Sequence, residues 1–315
     1  KVGEKVFYDV FSTFSEKYVS PAPFRRIKFK DAILKYGSDK PDLRNPLIIE
    51  DISDIMGKSD FAPFKDTVVR CIKVENIEKS NSWYKTMEEY VKGLHGNLGY
   101  IQVKEGMELK SSLTKFMSDE VKNELIEKMN LHENDALFIV ADKNRCARIM
   151  GNLRTKLGNE LDLIDKNRYE FCIINDFPFY EENEETGAIE FSHNPFSMPK
   201  GGLDALNNKN PFEIEAFQYD FVCNGYEMAS GGVRNHSPEI LKKAFELVGY
   251  GEDIVRSKFP SLYEAFKYGA PPHAGMAPGI DRIIMLLKDE ENIREIVPFP
   301  IGANGADAMM GCPSE

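Results

Sequence analysis

The chain has 315 residues, 42% hydrophobic and 29% charged, with a net charge of −11. That length and apolar content can bury one or two real cores, no apolar run reaches the roughly 18 residues a membrane helix needs, and the acidity argues against nonspecific nucleic-acid binding over the whole surface while leaving room for a local basic stripe. The five cysteines, Cys71, Cys146, Cys172, Cys223 and Cys312, form no Cys-x-x-Cys pair, so neither a disulfide framework nor a zinc site is predicted.

In chain order, residues 3–18 predict an amphipathic helix with Val6, Val10, Phe11 and Phe14 as its apolar stripe, followed by a proline-rich connection from Pro21 to Pro23. From about Lys58 to Asp165 the pattern becomes alternating helices and short strands. Trp83, Met87, Tyr90, Val91 and Leu94 share one helix, Ser118 is placed to cap a helix carrying Val121, Leu125 and Met129, and Ala136 to Val140 reads as a strand. These stripes read most simply as core, and the segment holds no catalytic constellation. Strands return at Phe171, with Cys172, Ile173 and Ile174 before Asp176, and the acidic loop from Glu181 to Thr186 reads as solvated. The pattern to the end of the chain predicts an α+β fold, an antiparallel sheet flanked by helices.

Two later stretches carry chemistry. Asn224-Gly225 between alternating apolar residues predicts a hairpin with a two-residue type I′ turn. That turn pairs Cys223 with Tyr226 and Val222 with Glu227, so Asp220 shares a face with Glu227. Two carboxylates placed diagonally, roughly 7–8 Å apart at Cα, suit a hard cation that also binds phosphate oxygens, such as a magnesium-nucleotide. Arg234 lies seven residues beyond Glu227, an odd spacing that a regular strand sends to the opposite face. A bulge at Ser230-Gly231-Gly232 is expected to restore the parity, because glycine allows positive φ. The plainer alternative is a surface hairpin with solvated charges.

The second stretch is Gly279-Ile280-Asp281-Arg282. Pro278 and Gly279 end the preceding element, and Ile280 with Ile283 to Leu287 is so uniformly apolar that a buried helix is expected. Asp281 suits a first turn; Arg282 opposes the macrodipole there and needs an anion, either a nearby acid such as Asp281 or a triphosphate.

These words, together with Tyr36-Gly37-Ser38-Asp39-Lys40-Pro41-Asp42-Leu43-Arg44, Asp176-Phe177-Pro178, His193-Asn194-Pro195-Phe196 and Gly269-Ala270-Pro271-Pro272-His273-Ala274-Gly275, resemble in order and spacing the bacterial-type aspartyl-tRNA synthetases, a class II family. The likeness spans nearly the whole chain. It implies that Glu227 binds ATP, that Asp220 is its magnesium partner, that Gly279, Ile280, Asp281 and Arg282 form the third class II motif gripping the phosphates, and that His193 and Arg234 hold aspartate. It also implies attack of an aspartate carboxylate on the α-phosphate of ATP, giving aspartyl-adenylate and pyrophosphate, then transfer to the terminal ribose of tRNA(Asp); charging of tRNA(Asn) as well is left open. Arg234 would face the substrate's side-chain carboxylate, and Arg234, Arg282 and Glu227 would carry the catalysis by positioning and charge neutralisation.

The expected organisation is a catalytic domain over 1–57 and 166–315, interrupted at 58–165 by the α+β insertion (GAD-type) that bacterial relatives share with an amidotransferase subunit. Met228-Ala229-Ser230 stands where relatives are glycine-rich, Pro278 where many have phenylalanine, and Asn194 where many have a second histidine. Starting at Lys1, the chain resembles a fragment lacking the first motif, most of the second and the anticodon-binding barrel, and is expected to be inactive alone. A cytoplasmic homodimer is the expectation for the complete protein. The rival readings are a synthetase-derived module that binds tRNA or a partner without adenylation, and an amide-forming asparagine synthetase on the same fold.

Overall fold

The computed structural model describes residues 1–183, 185–302, 305–307, 309 and 311; Cys312, and Glu184 of the acidic loop, lie outside them. The chain divides into two compact units, Lys1–Lys28 with Asn167–Glu315, and Phe29–Lys166.

The first unit is built on a five-stranded sheet in the order Ala274–Pro278, Tyr226–Val233, Glu215–Cys223, Phe171–Pro178, Arg25–Lys28. Every pairing is antiparallel except the last, which is parallel. Alternation sends Phe171, Ile173, Phe221 and Cys223 to one face, where they meet Phe7 and Phe11 of the Val2–Phe14 helix and Ile283 and Leu286 of the Ile280–Leu287 helix. The cluster is largely aromatic: Phe24 stacks on Phe171 at 4.7 Å and Phe11 meets Tyr169 edge-on at 4.7 Å.

Two helix faces differ from expectation. In the first helix the buried stripe is Gly3, Phe7 and Phe11, whereas Val6 and Phe14 are 44% and 71% exposed. The missing side chain of Gly3 selects this face, because a Cβ there would sit 2.8 Å from the Met276 sulfur. The Ile280–Leu287 helix is buried on one side only, with Ile280 63% exposed.

The second unit carries its own five-stranded antiparallel sheet, in the order Ile49–Asp51, Val69–Val74, Ala136–Ala141, Leu98–Val103, Leu109–Lys110. One face packs Cys71, Ile139 and Ile101 against Val121, Leu125 and Met129. The other packs Ile72, Phe138 and Val140 against Tyr84, Met87 and Leu153. Ser118 caps the Asp119–Met129 helix by accepting the Val121 N–H, and Trp83 is partly buried at the edge of the second cluster.

Residues 29–57, expected with the catalytic part, fold instead with this unit. Ile49–Asp51 is the edge strand of its sheet, paired with Val69–Val74. The buried Arg154 guanidinium donates to the carbonyls of Leu47 and Asn45 at 2.6 Å and of Asp42 at 3.0 Å. Burial pushes its pKa down to about 10, against the pull of Asp42 and Tyr36. Gly37 and Gly151 are in backbone contact, since a Cβ on Gly151 would lie 2.5 Å from the Gly37 carbonyl oxygen. The boundary therefore falls at 28/29, because strand pairing and a long-range guanidinium brace claim residues that local composition groups with the preceding text.

Candidate active site

The hairpin forms as its turn residues predict. Asn224 and Gly225 take φ of 51° and 88°, and Cys223 pairs with Tyr226 and Val222 with Glu227. The Asn224 side chain adds tertiary anchors, accepting the Glu170 N–H at 2.9 Å and donating to the Arg168 carbonyl at 2.9 Å. Beyond Glu227 the register shifts: Phe221 pairs with Ala229, leaving Met228 as the extra residue. Asp220 then pairs with Ser230 and Gln218 with Gly232, so Asp220, Glu227, Ser230 and Gly232 share one face, with Arg234 next in alternation.

The parity shift is thus present, at Met228 and not at Ser230-Gly231-Gly232. Neither glycine adopts positive φ. Gly231 has a different purpose: a Cβ on it would lie 2.4 Å from the Gly275 carbonyl and 2.8 Å from the Tyr219 ring, so only glycine lets the Ala274–Pro278 strand and Tyr219 close over the aromatic face. Met228 supplies the bulge because its side chain is buried in the aromatic cluster, which turns Glu227 to the other side.

Arg282 meets its anion across the fold. The Gly279 N–H donates to the Met228 carbonyl at 2.8 Å, tying the start of the helix to the bulge. From there the Arg282 guanidinium donates to the Glu227 carbonyl at 3.0 Å and lies 3.4 Å from the Glu227 carboxylate. Its partner is therefore Glu227 and not Asp281. Asp220, on the same face, is 1% exposed. The structure accordingly brings together Asp220, Glu227, Arg282 and the Gly279 to Asp281 turn.

Arg234 stands at the far end of the same strand, about 20 Å from Glu227 at Cα. There Val233 and Arg234 are held on both sides: the Arg234 N–H donates to the His273 carbonyl at 2.9 Å, and Ser197 forms an isolated antiparallel bridge with Arg234. The Arg234 guanidinium lies over the Phe196 ring, 5.4 Å from its centroid. His193 is exposed in the same loop, with Nδ1 2.8 Å from the Ser192 hydroxyl and its ring edge-on to Phe177 at 5.0 Å. It is fixed by these neighbours and not by Arg234.

Sequence reasoning missed two features. Asp176 has φ 59° in the left-handed region, and its carboxylate accepts Lys200 at 2.5 Å, with Lys28 at 3.6 Å. Lys200 also donates to Glu215 at 2.8 Å; burial alone would lower its pKa, but these two carboxylates raise it. A register shift opposite Asp176, between Ala216 and Tyr219, re-aims its side chain, and no local pattern announces that. The second feature is a cavity of about 720 Å³ on the aromatic face, lined by Ile173, Asn175, Tyr219, Phe221 and Met276. Asp176 and Lys200 line it as well, whereas Asp220, Glu227, Arg234, Arg282 and His193 do not.

Residues 1–303 match the family described as tRNA synthetases class II (D, K and N). Among curated proteins, the chain is similar to the aspartate-tRNA(Asp/Asn) ligase of Rickettsia canadensis (strain McKiel), at 47% identity over 99% of this chain and 54% of that protein. The protein of the same name from Rickettsia bellii (strain OSU 85-389) is 48% identical over the same shares. The chain thus spans about half the length of the curated relatives it matches. A solved aspartyl tRNA synthetase from Entamoeba histolytica aligns with 76% of this chain and 44% of its own at 20% identity, with a TM-score of 0.33, too low to bear on the fold. With Arg282 and Glu227 from separate segments in contact and the family match running through Arg282, the chain belongs to the class II tRNA synthetases of the D, K and N group.

Proposed function

We propose that the chain is the catalytic part of an ATP-dependent aspartate-tRNA ligase, which forms aspartyl-adenylate and passes aspartate to tRNA(Asp). The observation that carries this reading is the Arg282–Glu227 contact at 3.0 and 3.4 Å, with Asp220 on the same face. A partly exposed guanidinium held by one carboxylate is a ready receptor for phosphate oxygens, which it can grip bidentately. In this reading nucleotide phosphates replace Glu227 as the partner of Arg282, and Glu227 turns to the metal.

The donor chemistry fits magnesium, which favours oxygen ligands and keeps several places for substrate phosphates and water. Among the described residues no group of three or more His, Cys, Asp or Glu is arranged to hold a metal, so Asp220 and Glu227 would contribute part of a site that the nucleotide completes. Bound there, the cation would neutralise charge on the phosphates during adenylate formation. Arg234, with no carboxylate partner among the described residues, is the donor for the substrate's side-chain carboxylate, and His193 borders the same end of the sheet. Asparagine would set amide donors against guanidinium donors, which a buried site rejects strongly.

By this reading the residues of the second unit make up the insertion domain, the complete protein works in the cytoplasm as a homodimer, and tRNA(Asn) is a second candidate acceptor, as the names of the Rickettsia proteins suggest. The deciding measurement is ATP–pyrophosphate exchange by the complete gene product. Aspartate-dependent exchange supports the reading; its absence points to a module that binds without adenylating. Charging assays with purified tRNA(Asp) and tRNA(Asn) then decide the acceptor, and amide formation from ammonia would indicate an asparagine synthetase.

A further inference from the structure

We propose that Phe196 is a positioning residue for Arg234, holding its guanidinium plane so that the in-plane donors face the substrate carboxylate. This rests on the functional reading above and adds a residue to which no role has been assigned.

An arginine on a flexible stem presents a bidentate fork only if something fixes its plane. Here that is an aromatic face, since Arg234 sits 5.4 Å over the Phe196 centroid. Held over the ring at that distance, the guanidinium is restrained in position, and its N–H groups that are not turned to the ring are left to meet a planar carboxylate.

The ring is itself immobilised. Asn235 N–H donates to the Phe196 carbonyl and Met198 N–H to the Val233 carbonyl, both at 2.8 Å, so the loop is laced to the strand on either side of Arg234. Asn194, where many relatives have histidine, accepts the Phe196 N–H at 2.8 Å and closes the turn leading into the ring. The edge-on contact of Phe196 with Phe259 at 5.1 Å is packing outside this lacing and is not what fixes the loop. The ring therefore cannot swing away without breaking backbone pairings, and the guanidinium inherits that order.

The test uses the complete gene product in aspartate-dependent exchange. Phe196→Leu is expected to raise KM for aspartate about tenfold, with kcat and KM for ATP unchanged, while Phe196→Tyr restores the parent value. Phe259→Leu loosens the same aromatic cluster without touching Arg234 and should lower thermal stability with KM for aspartate unchanged. A KM for aspartate within twofold of the parent in Phe196→Leu overturns the inference, as does an equal rise in Phe259→Leu, which would make the effect one of packing. If the parent protein shows no aspartate-dependent exchange, the functional reading falls and this inference with it; if exchange is present and only the Phe196 prediction fails, the reading stands.

Discussion

Arg282 and Glu227 come from segments 55 residues apart, yet each gives the other its partner. Both are partly exposed, with side chains at 44% and 26%, so their ion pair contributes little to stability, about 1 kcal/mol or less. Glu227→Gln and Arg282→Ala should therefore leave the thermal midpoint nearly unchanged while lowering exchange activity by about 100-fold or more, the usual cost of removing one preorganised charge-stabilising group; near-parent exchange in either variant would contradict these roles. Gly231 is the opposite case, a residue important for packing alone. Gly231→Ala should destabilise the first unit by about 1–3 kcal/mol, measured by denaturant titration, because its methyl would meet the Gly275 carbonyl and the Tyr219 ring. At this scale the register of the turn was legible, since Asn-Gly permits few geometries. The need for a bulge was legible too, but not its position, because Met228 is driven by burial in a distant aromatic cluster and not by its own backbone preference.

Among the elements, the Asp119–Met129 helix was readable in full, with its cap and its buried face. Ser118→Ala should cost about 1 kcal/mol in the second unit and Leu125→Ala about 2–5 kcal/mol, both measurable by thermal or denaturant unfolding. The first helix was read half right: Phe11 and Val10 pack on the aromatic cluster as expected, but Phe7 and Gly3 complete the buried face in place of Val6 and Phe14, because of the groove that Gly3 opens against Met276. A third element-scale prediction concerns Glu252, which accepts Lys242 at 2.9 Å and the Tyr263 hydroxyl at 2.5 Å; these hydrogen bonds hold its pKa at about 2, below the ordinary 4.5. A depressed carboxylate stabilises the fold above its unfolded pKa and loses that contribution as pH falls through the folded one. The difference in thermal midpoint between the parent and Glu252→Gln should therefore be present at neutral pH and close as pH falls from about 4.5 to about 2. A difference that persists at the acid end would show that the carboxylate charge is not what joins the Pro238–Leu247, Glu252–Lys258 and Pro260–Lys267 helices.

For the whole molecule, the two compact units lead to an excision experiment. Residues 29–166 enclose both faces of their own sheet and should fold cooperatively alone. The same segment cut at 58–165 lacks the Ile49–Asp51 edge strand and the carbonyls that Arg154 binds, leaving a buried guanidinium without acceptors. It should be less stable by several kcal/mol or fail to fold; equal stability of the two pieces would refute the assignment of residues 29–57 to this unit.

Local patterns by themselves determined the α+β class, the type I′ hairpin, the shared face of Asp220 and Glu227, the capped helix and the run of family motifs, because turn chemistry, periodicity and capping act within a few residues. Tertiary structure alone decided the bulge at Met228, Glu227 as the partner of Arg282, the ring under Arg234 and the boundary at Lys28. Each of those depends on strand register and burial between segments far apart in sequence, where packing and charge pairing override local preference.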